Sequence, residues 1–427
     1  MSAKRMGLVL LALTGAGLCP LPAAAQPGAT RVLSLDDCLR TALANHLLLK
    51  ASGHRVDAAA ARVEQAKALP QPVVSYDSDL QPQPFNYVKS GESYLGVSQT
   101  IEFPALRRTR IGVSRSEQQA ALADVEAVRV DVEFNVRRAF YALLLAEERL
   151  RHLQQDRDVA NEVLKTAETR LAAGDVARVE VVRARVEAAQ AASQVQVGTA
   201  AVRLAAASLN VSMGSSQGEP IAIAGDLRAP VLTESRDAIR QVALASRPEL
   251  KRLTFLQEAE VLRQKQARQE RWPGLELGVS HHRIDGTTGT WDVSVSLPVP
   301  LFYRQQARGP AAEAQANQLA LQREFDHQRQ AIDLEVETAY VEAQMAREQI
   351  RLYQDEILTE AEEAFKMLQF SFQQGEIGGL ELIAARRTLV TARLGYADAL
   401  FNHAVAVAAV DKAAGRQARA GQGDGHE

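Results

Sequence analysis

The stretch RLAAGDVARVEVVRARVEAA at 170–189 returns 201 residues later within SFQQGEIGGLELIAARRTLVTA at 371–392. Gly174 aligns with Gly375, Asp175 with Glu376, Val176 with Ile377, Glu180 with Glu381, Ala184 with Ala385 and Arg185 with Arg386. A repeat of such long period marks a duplicated structural half rather than one unit of a solenoid. Each copy lies between Ala-rich helical runs. Glycine followed by an acid is how one helix ends and the next begins, because Gly accepts the left-handed cap and Asp or Glu suits the following N-terminus. Both copies are therefore expected to be the tips of helical hairpins.

The chain has 427 residues, 46% apolar but only 5% aromatic, so its apolar surface is mostly Ala, Val and Leu, as in closely approaching long helices. A net charge of -3 without a basic stripe argues against a nucleic-acid partner. Residues 1–25 carry Lys4 and Arg5, a short apolar run, and Ala23-Ala24-Ala25, the pattern of a secretory signal cleaved before Gln26. Leu18 before Cys19 argues against lipid attachment, and Cys38, alone in the mature chain, reads as a core residue. No later stretch is long and apolar enough for a transmembrane helix.

A first helix is expected over 35–49, capped by Ser34, with a counterpart over 235–250. Second helices are expected over 54–69 and 249–271, each stopped by proline, Pro70 and Pro273. The period then becomes alternating. Strands are expected at about 71–80, 92–103, 274–284 and 290–300; Leu275, Leu277 and Val279 share a face, as do Trp291, Val293, Val295, Leu297 and Val299. Residues 286–289 join the last two strands as a hairpin loop. Such strands are long enough to cross a bilayer when tilted. A soluble sheet packed on helices has the same alternation. If the strands do span a membrane, four cannot close a barrel, and several copies of the chain must share one.

From 107 to 173 the pattern is helical, and Ile332, Val336, Ala339, Ala343, Ala346, Ile350, Tyr353 and Ile357 keep the alternation of four and three that marks a coiled coil. A helix of that size runs roughly 100 Å. Return helices are expected over 178–211 and 379–413. The chain thus divides into an export signal (1–25), a first repeat (26–213, tip about 170–180), a connector (214–234), a second repeat (235–414, tip about 371–381) and a polar, disordered tail (415–427).

With its two tips, the LDDCLRTALANH opening, and the strand-to-helix junctions TIEFPALRRTRIG at 100–112 and SLPVPLFYRQQAR at 296–308, the sequence resembles the TolC family of outer-membrane efflux proteins. The stretch 372–400 is most similar to the heavy-metal branch, the CzcC-like and CusC-like proteins. The resemblance implies a mainly α fold with a small membrane β part. It implies a homotrimer in which each protomer gives four strands to a shared twelve-stranded barrel in outer-membrane lipid and its helices to a long periplasmic coiled-coil tunnel. It further implies that the tips meet a periplasmic adaptor docked on an inner-membrane RND pump. Carried over by position, the docking and gating residues are Arg170, Gly174, Asp175, Val176, Glu180, Gly375, Glu376, Ile377 and Glu381. Arg170 fits a basic residue of the family pattern, whereas the second copy has Ser371.

No phosphate loop, H-E-x-x-H pair or nucleophile elbow is present, so no enzyme, cofactor or metal site is expected. His281 and His282 are adjacent in a strand and point to opposite faces, a poor metal pair. The resulting expectation is a passive exit duct of a tripartite efflux system, exporting heavy-metal cations. A multidrug duct of the same fold and a soluble periplasmic coiled-coil adaptor or scaffold are the alternatives.

Overall fold

The computed structural model describes residues 32–78, 91–229, 232–284 and 289–416. The expected export signal, nearly all of the 81–92 loop, most of the 286–289 loop and nearly all of the tail lie outside them. After β1 (Val32–Leu33) come α1 (Leu35–Asn45) and α2 (Leu47–Lys67), followed by β2 (Val73–Ser78), β3 (Glu92–Ile101), α3 (Pro104–Ala173) and α4 (Arg178–Ser212). Then β4 (Ala222–Ile223) leads into α5 (Arg236–Ser246), α6 (Pro248–Gln269), β5 (Leu275–Ile284), β6 (Thr290–Ser296), α7 (Tyr303–Leu352), α8 (Leu358–Gln374) and α9 (Gly379–Ala413). A π-helical turn, Tyr353–Ile357, joins α7 to α8.

Ser34 starts α1 as expected, its side chain accepting from the Asp37 amide while Asp37 reaches back to the Ser34 amide, so two orphan donors are satisfied. The helix does not run on to 49. His46 is extended (ψ 123°), and the chain re-enters a helix at Leu47. In the second half Arg247 makes the same break before Pro248, whose ring suits the first helical turn. The connector also holds a feature that periodicity did not announce, a two-residue parallel pairing of β1 with β4.

The four longer strands form one sheet in the order β2-β3-β5-β6, antiparallel throughout. Its register sorts the residues by polarity. Tyr76 faces Leu95, Leu95 faces His281, and His281 faces Trp291; Val74, Val97, Val279 and Val293 form the next row. The intervening rows hold Ser75, Gly96, Ser280 and Asp292 on the opposite face. Residues alternate across a strand, so this registry gives one apolar and one polar face. The apolar side chains are uncovered: Val293 is 76% exposed and Trp291 72%. β2 and β6 end the sheet with open edges, a template for pairing with further strands.

α3 has 70 residues, about 105 Å of helix, which puts the sheet and the hairpin tip at opposite ends. The largest core lies midway, where Cys38, Leu39 and Ala42 of α1 meet Val136, Phe140 and Leu143 of α3 and Leu209 of α4. A matching core in the second half packs Ile239 and Ala243 against Ile332, Val336, Ala339 and Val410. No described helix is long and apolar enough to cross a membrane.

Candidate functional site at the hairpin tips

Both tips end in the same backbone motif. Gly174 has φ 84° and Gly375 φ 81°, the left-handed conformation that a Cβ disfavours. Beyond Gly174 the Asp175 amide donates to the Arg170 carbonyl at 2.9 Å; beyond Gly375 the Glu376 amide donates to the Ser371 carbonyl at 3.0 Å. These bonds satisfy carbonyls that a helix end otherwise leaves bare. Nothing lies within 4 Å of a Cβ built on Gly174, so conformation rather than space requires glycine there.

The two tips face each other across a cavity of about 630 Å³. Arg170, Asp175, Val176 and Glu180 line it from the first repeat, and Gly375, Glu376 and Ile377 from the second. Gly174 and Glu381 are not among its lining residues. Beneath it Val163, Ala167, Val181 and Ala184 pack on Phe372 and Leu382.

Two charged residues of the first tip complete the helix ends of the second. Arg170 donates from Nη2 to the Phe372 carbonyl at 2.5 Å and to the Gln373 carbonyl at 3.4 Å, with its guanidinium 4.7 Å from the centre of the Phe372 ring. It therefore supplies positive charge to the C-terminal end of α8. Glu180 accepts from the Gly379 amide through Oε2 at 3.3 Å, putting negative charge at the start of α9. Each placement matches the helix dipole and stabilises by about 0.3–1 kcal/mol. Asp175 and Glu376 instead stand in the turns themselves. The asymmetry of Arg170 against Ser371 thus has a structural use: the basic residue of one tip serves the helix end of the other.

Further along the hairpins lies a cluster that the tip alignment did not single out. Arg386 of α9 is buried and donates to Asp156 Oδ1 of α3 at 2.5 Å and to Glu187 Oε2 of α4 at 2.8 Å. Arg387 also pairs with Glu187 from the surface. Burial pushes the Asp156 carboxyl above its usual range, and Arg386 opposes that shift. Arg185, the repeat partner of Arg386, is exposed and pairs with Glu168 on the surface. Sequence pairing revealed the two arginines, but not that one of them is interior.

In the sheet, His282 stacks on Tyr94 with ring centres 4.0 Å apart, while His281 meets Trp291 edge-on across the other face. Among the described residues no group of three or more His, Cys, Asp or Glu side chains is placed to hold a metal ion.

Long paired hairpins joined end-on to a small sheet with one bare apolar face are also the fold of solved outer-membrane channels. It aligns with crystal structures of CusC at a TM-score of 0.75 and 18% identity, over 90% of this chain and 92% of that one. The CmeC outer membrane channel of Campylobacter jejuni aligns at 0.75 and 19% identity, over 89% and 85%. The chain belongs to the family described as outer membrane efflux protein, whose model matches it twice, at residues 38–215 and 239–416. The two matches fall on the two repeats. A curated relative, the cobalt-zinc-cadmium resistance protein CzcC of Cupriavidus metallidurans, is 25% identical over 391 residues, 90% of each chain. The family is one of efflux channels, not enzymes.

Proposed function

We propose that this chain is the outer-membrane exit duct of a tripartite efflux system: an exported, passive homotrimer that receives divalent heavy-metal cations from a periplasmic adaptor and an inner-membrane pump. The observation that carries the reading is the sheet. An exposed apolar face, a polar opposite face and two open edges suit strands that complete a shared barrel, with lipid on one side and a wet lumen on the other. Three copies of a four-stranded sheet give a twelve-stranded barrel. The helices then extend into the periplasm, and the tips lie at the far end, where the cavity between Arg170, Glu180, Glu376 and Ile377 meets the adaptor. Opening requires the second tip to leave the first, which releases the Phe372 carbonyl from Arg170 and the Gly379 amide from Glu180. The metal cargo is supported by the CzcC relative, named for cobalt, zinc and cadmium resistance.

Membrane fractionation with a deletion strain tests this. The protein is expected in the outer-membrane fraction as an oligomer needing detergent, and its loss is expected to sensitise cells to cobalt, zinc or cadmium. Recovery in the soluble periplasm overturns the duct; sensitisation to drugs alone overturns the cargo. Replacing Gly174 and Gly375 with valine is expected to impair export while the oligomer persists, and unimpaired export in a strain lacking other ducts removes the tips from the docking role.

A further inference from the structure

A second cavity, of about 390 Å³, opens where the connector crosses the second hairpin at mid-length, far from the tips. Its polar lining is cationic. Arg228 reaches it from the connector, Arg347 and Arg351 from the end of α7, and Tyr396 and His403 from α9. Glu348 is the one carboxylate in the lining, and it stands 3.8 Å from Arg351 in a solvent-exposed pair that leaves the positive charge in excess. His403 is only 5% exposed and lines the cavity. Burial and the Arg347 charge hold its imidazole below the usual pKa. Gln354, also in the lining, belongs to the π-helical turn, a distortion that recurs at functional sites.

Duplication accounts for only part of this chemistry. Arg351 and Glu348 repeat Arg151 and Glu148 of the first half, but where the second repeat has Arg347, Tyr396 and His403, the corresponding positions of the first hold Glu147, Val195 and Val202. These three residues belong to one half only. Ile350 and Leu400 add an apolar wall beside the charges. Convergent polar groups on a partly apolar concave surface of this size are the make-up of a ligand pocket, and arginine forks match carboxylates in particular.

We infer that this cavity binds an organic anion carrying two or more carboxylates, held by Arg228, Arg347 and Arg351 with its carbon body against Ile350 and Leu400. The site is distinct from the tip cavity, and does not depend on the proposed function.

The test is calorimetric titration of the purified full-length oligomer in detergent with citrate, with inorganic phosphate, and with chloride at matched ionic strength. Saturable citrate binding, tighter than phosphate, is expected. Arg347→Gln with Arg351→Gln should weaken it by about tenfold or more for each charge-assisted bond lost. Arg323→Gln, on an exposed arginine elsewhere on α7, should leave it unchanged. Helical circular dichroism checks that the double variant folds, and Arg228→Gln in the connector repeats the test without altering a helix. Citrate heats no larger than those of chloride, equal loss in the Arg323 control, or unchanged binding in the folded double variant overturns the site. Phosphate binding as tightly as citrate overturns the carboxylate assignment.

Discussion

Replacing Arg386 by leucine tests how the second hairpin is held against the first. The Arg386 side chain is 6% exposed, and its partners Asp156 and Glu187 are 10% and 12% exposed. Leucine fills much of the volume but leaves Asp156 without its arginine, and leaves Glu187 only the peripheral Arg387. Removing one partner of a buried ion pair costs about 3–5 kcal/mol, chiefly because the remaining charge is stranded. The same substitution at the repeat-related Arg185 breaks a pair whose members are 67% and 47% exposed. Such exposed pairs contribute about 0–1 kcal/mol. Thermal melting of the purified protein, followed by helical circular dichroism, should therefore show a large drop for Arg386→Leu and almost none for Arg185→Leu. The double variant Arg386→Leu, Asp156→Asn should recover part of the loss, since it removes the stranded charge.

The pH dependence follows from the same burial. In the variant nothing opposes the desolvation that already raises the Asp156 pKa, so the folded pKa stands above the unfolded one. A carboxyl of that kind is accommodated below its unfolded pKa, and stability is lost as the pH rises through the folded pKa. The Arg386→Leu defect should accordingly be smaller near pH 4 than near pH 7, close to and well above the ordinary Asp value. Equal melting points for the two leucine variants, or a defect that grows on acidification, would refute the reasoning.

Three other outcomes are expected. A Cβ on Gly395 would come within 2.7 Å of the Tyr353 ring, an overpacking cost of about 1–3 kcal/mol offset by the roughly 1 kcal/mol that Ala gains over Gly inside a helix. Gly395→Ala should therefore destabilise by at most about 2 kcal/mol, and in a Tyr353→Leu background it should become neutral or stabilising; melting of the single and double variants decides this. On the sheet, Val293→Arg on the apolar face should reduce outer-membrane assembly by an amount equivalent to about 2–4 kcal/mol, whereas Ser294→Arg on the polar face should be tolerated; equal yields of heat-resistant oligomer would contradict the assignment of faces. Cys38 is fully buried, and burial pushes its thiol up to about 11, so maleimide should leave it unlabelled at neutral pH in the folded protein and label it after denaturation, as read by mass spectrometry.

Much of this architecture was legible because it rests on local chemistry. The glycine caps, the Ser34 capping box, the prolines that stop α2 and α6, and the alternation in β3 and β5 each act over a few residues. What periodicity could not reveal was how the halves meet. Arg170 caps a helix 202 residues away and Arg386 enters the first hairpin, and both depend on docking between elements distant in sequence. The length of β6 was overestimated for a local reason. Leu297 and Val299 continue its alternation, but the strand ends at Ser296, before Pro298, which has no amide to give to a ladder.

The repeat itself explains the least expected element. Val136 and Val336, Ala139 and Ala339, and Leu143 and Ala343 are buried pairs 200 residues apart, whereas Ala160 and Ala361, Leu171 and Phe372, and Gly174 and Gly375 stand 201 apart. Between these sets the second half must take up one extra residue without breaking the helix. It does so in the π-helical turn Tyr353–Ile357, where the Leu358 amide donates to the Tyr353 carbonyl, five residues back. A one-residue insertion rotates a straight helix by about 100°, which would turn Ala361 and Phe372 out of the core; a π turn absorbs that residue. Gly395 opposite supplies the room, with no Cβ to meet the displaced Tyr353 ring. The heptad reading holds from Ile332 to Ala346, all buried, but not to its end: Ile350 and Tyr353 are half-buried and Ile357 is 38% exposed, because the π turn shifts the phase of the backbone beneath a spacing that stays at three and four.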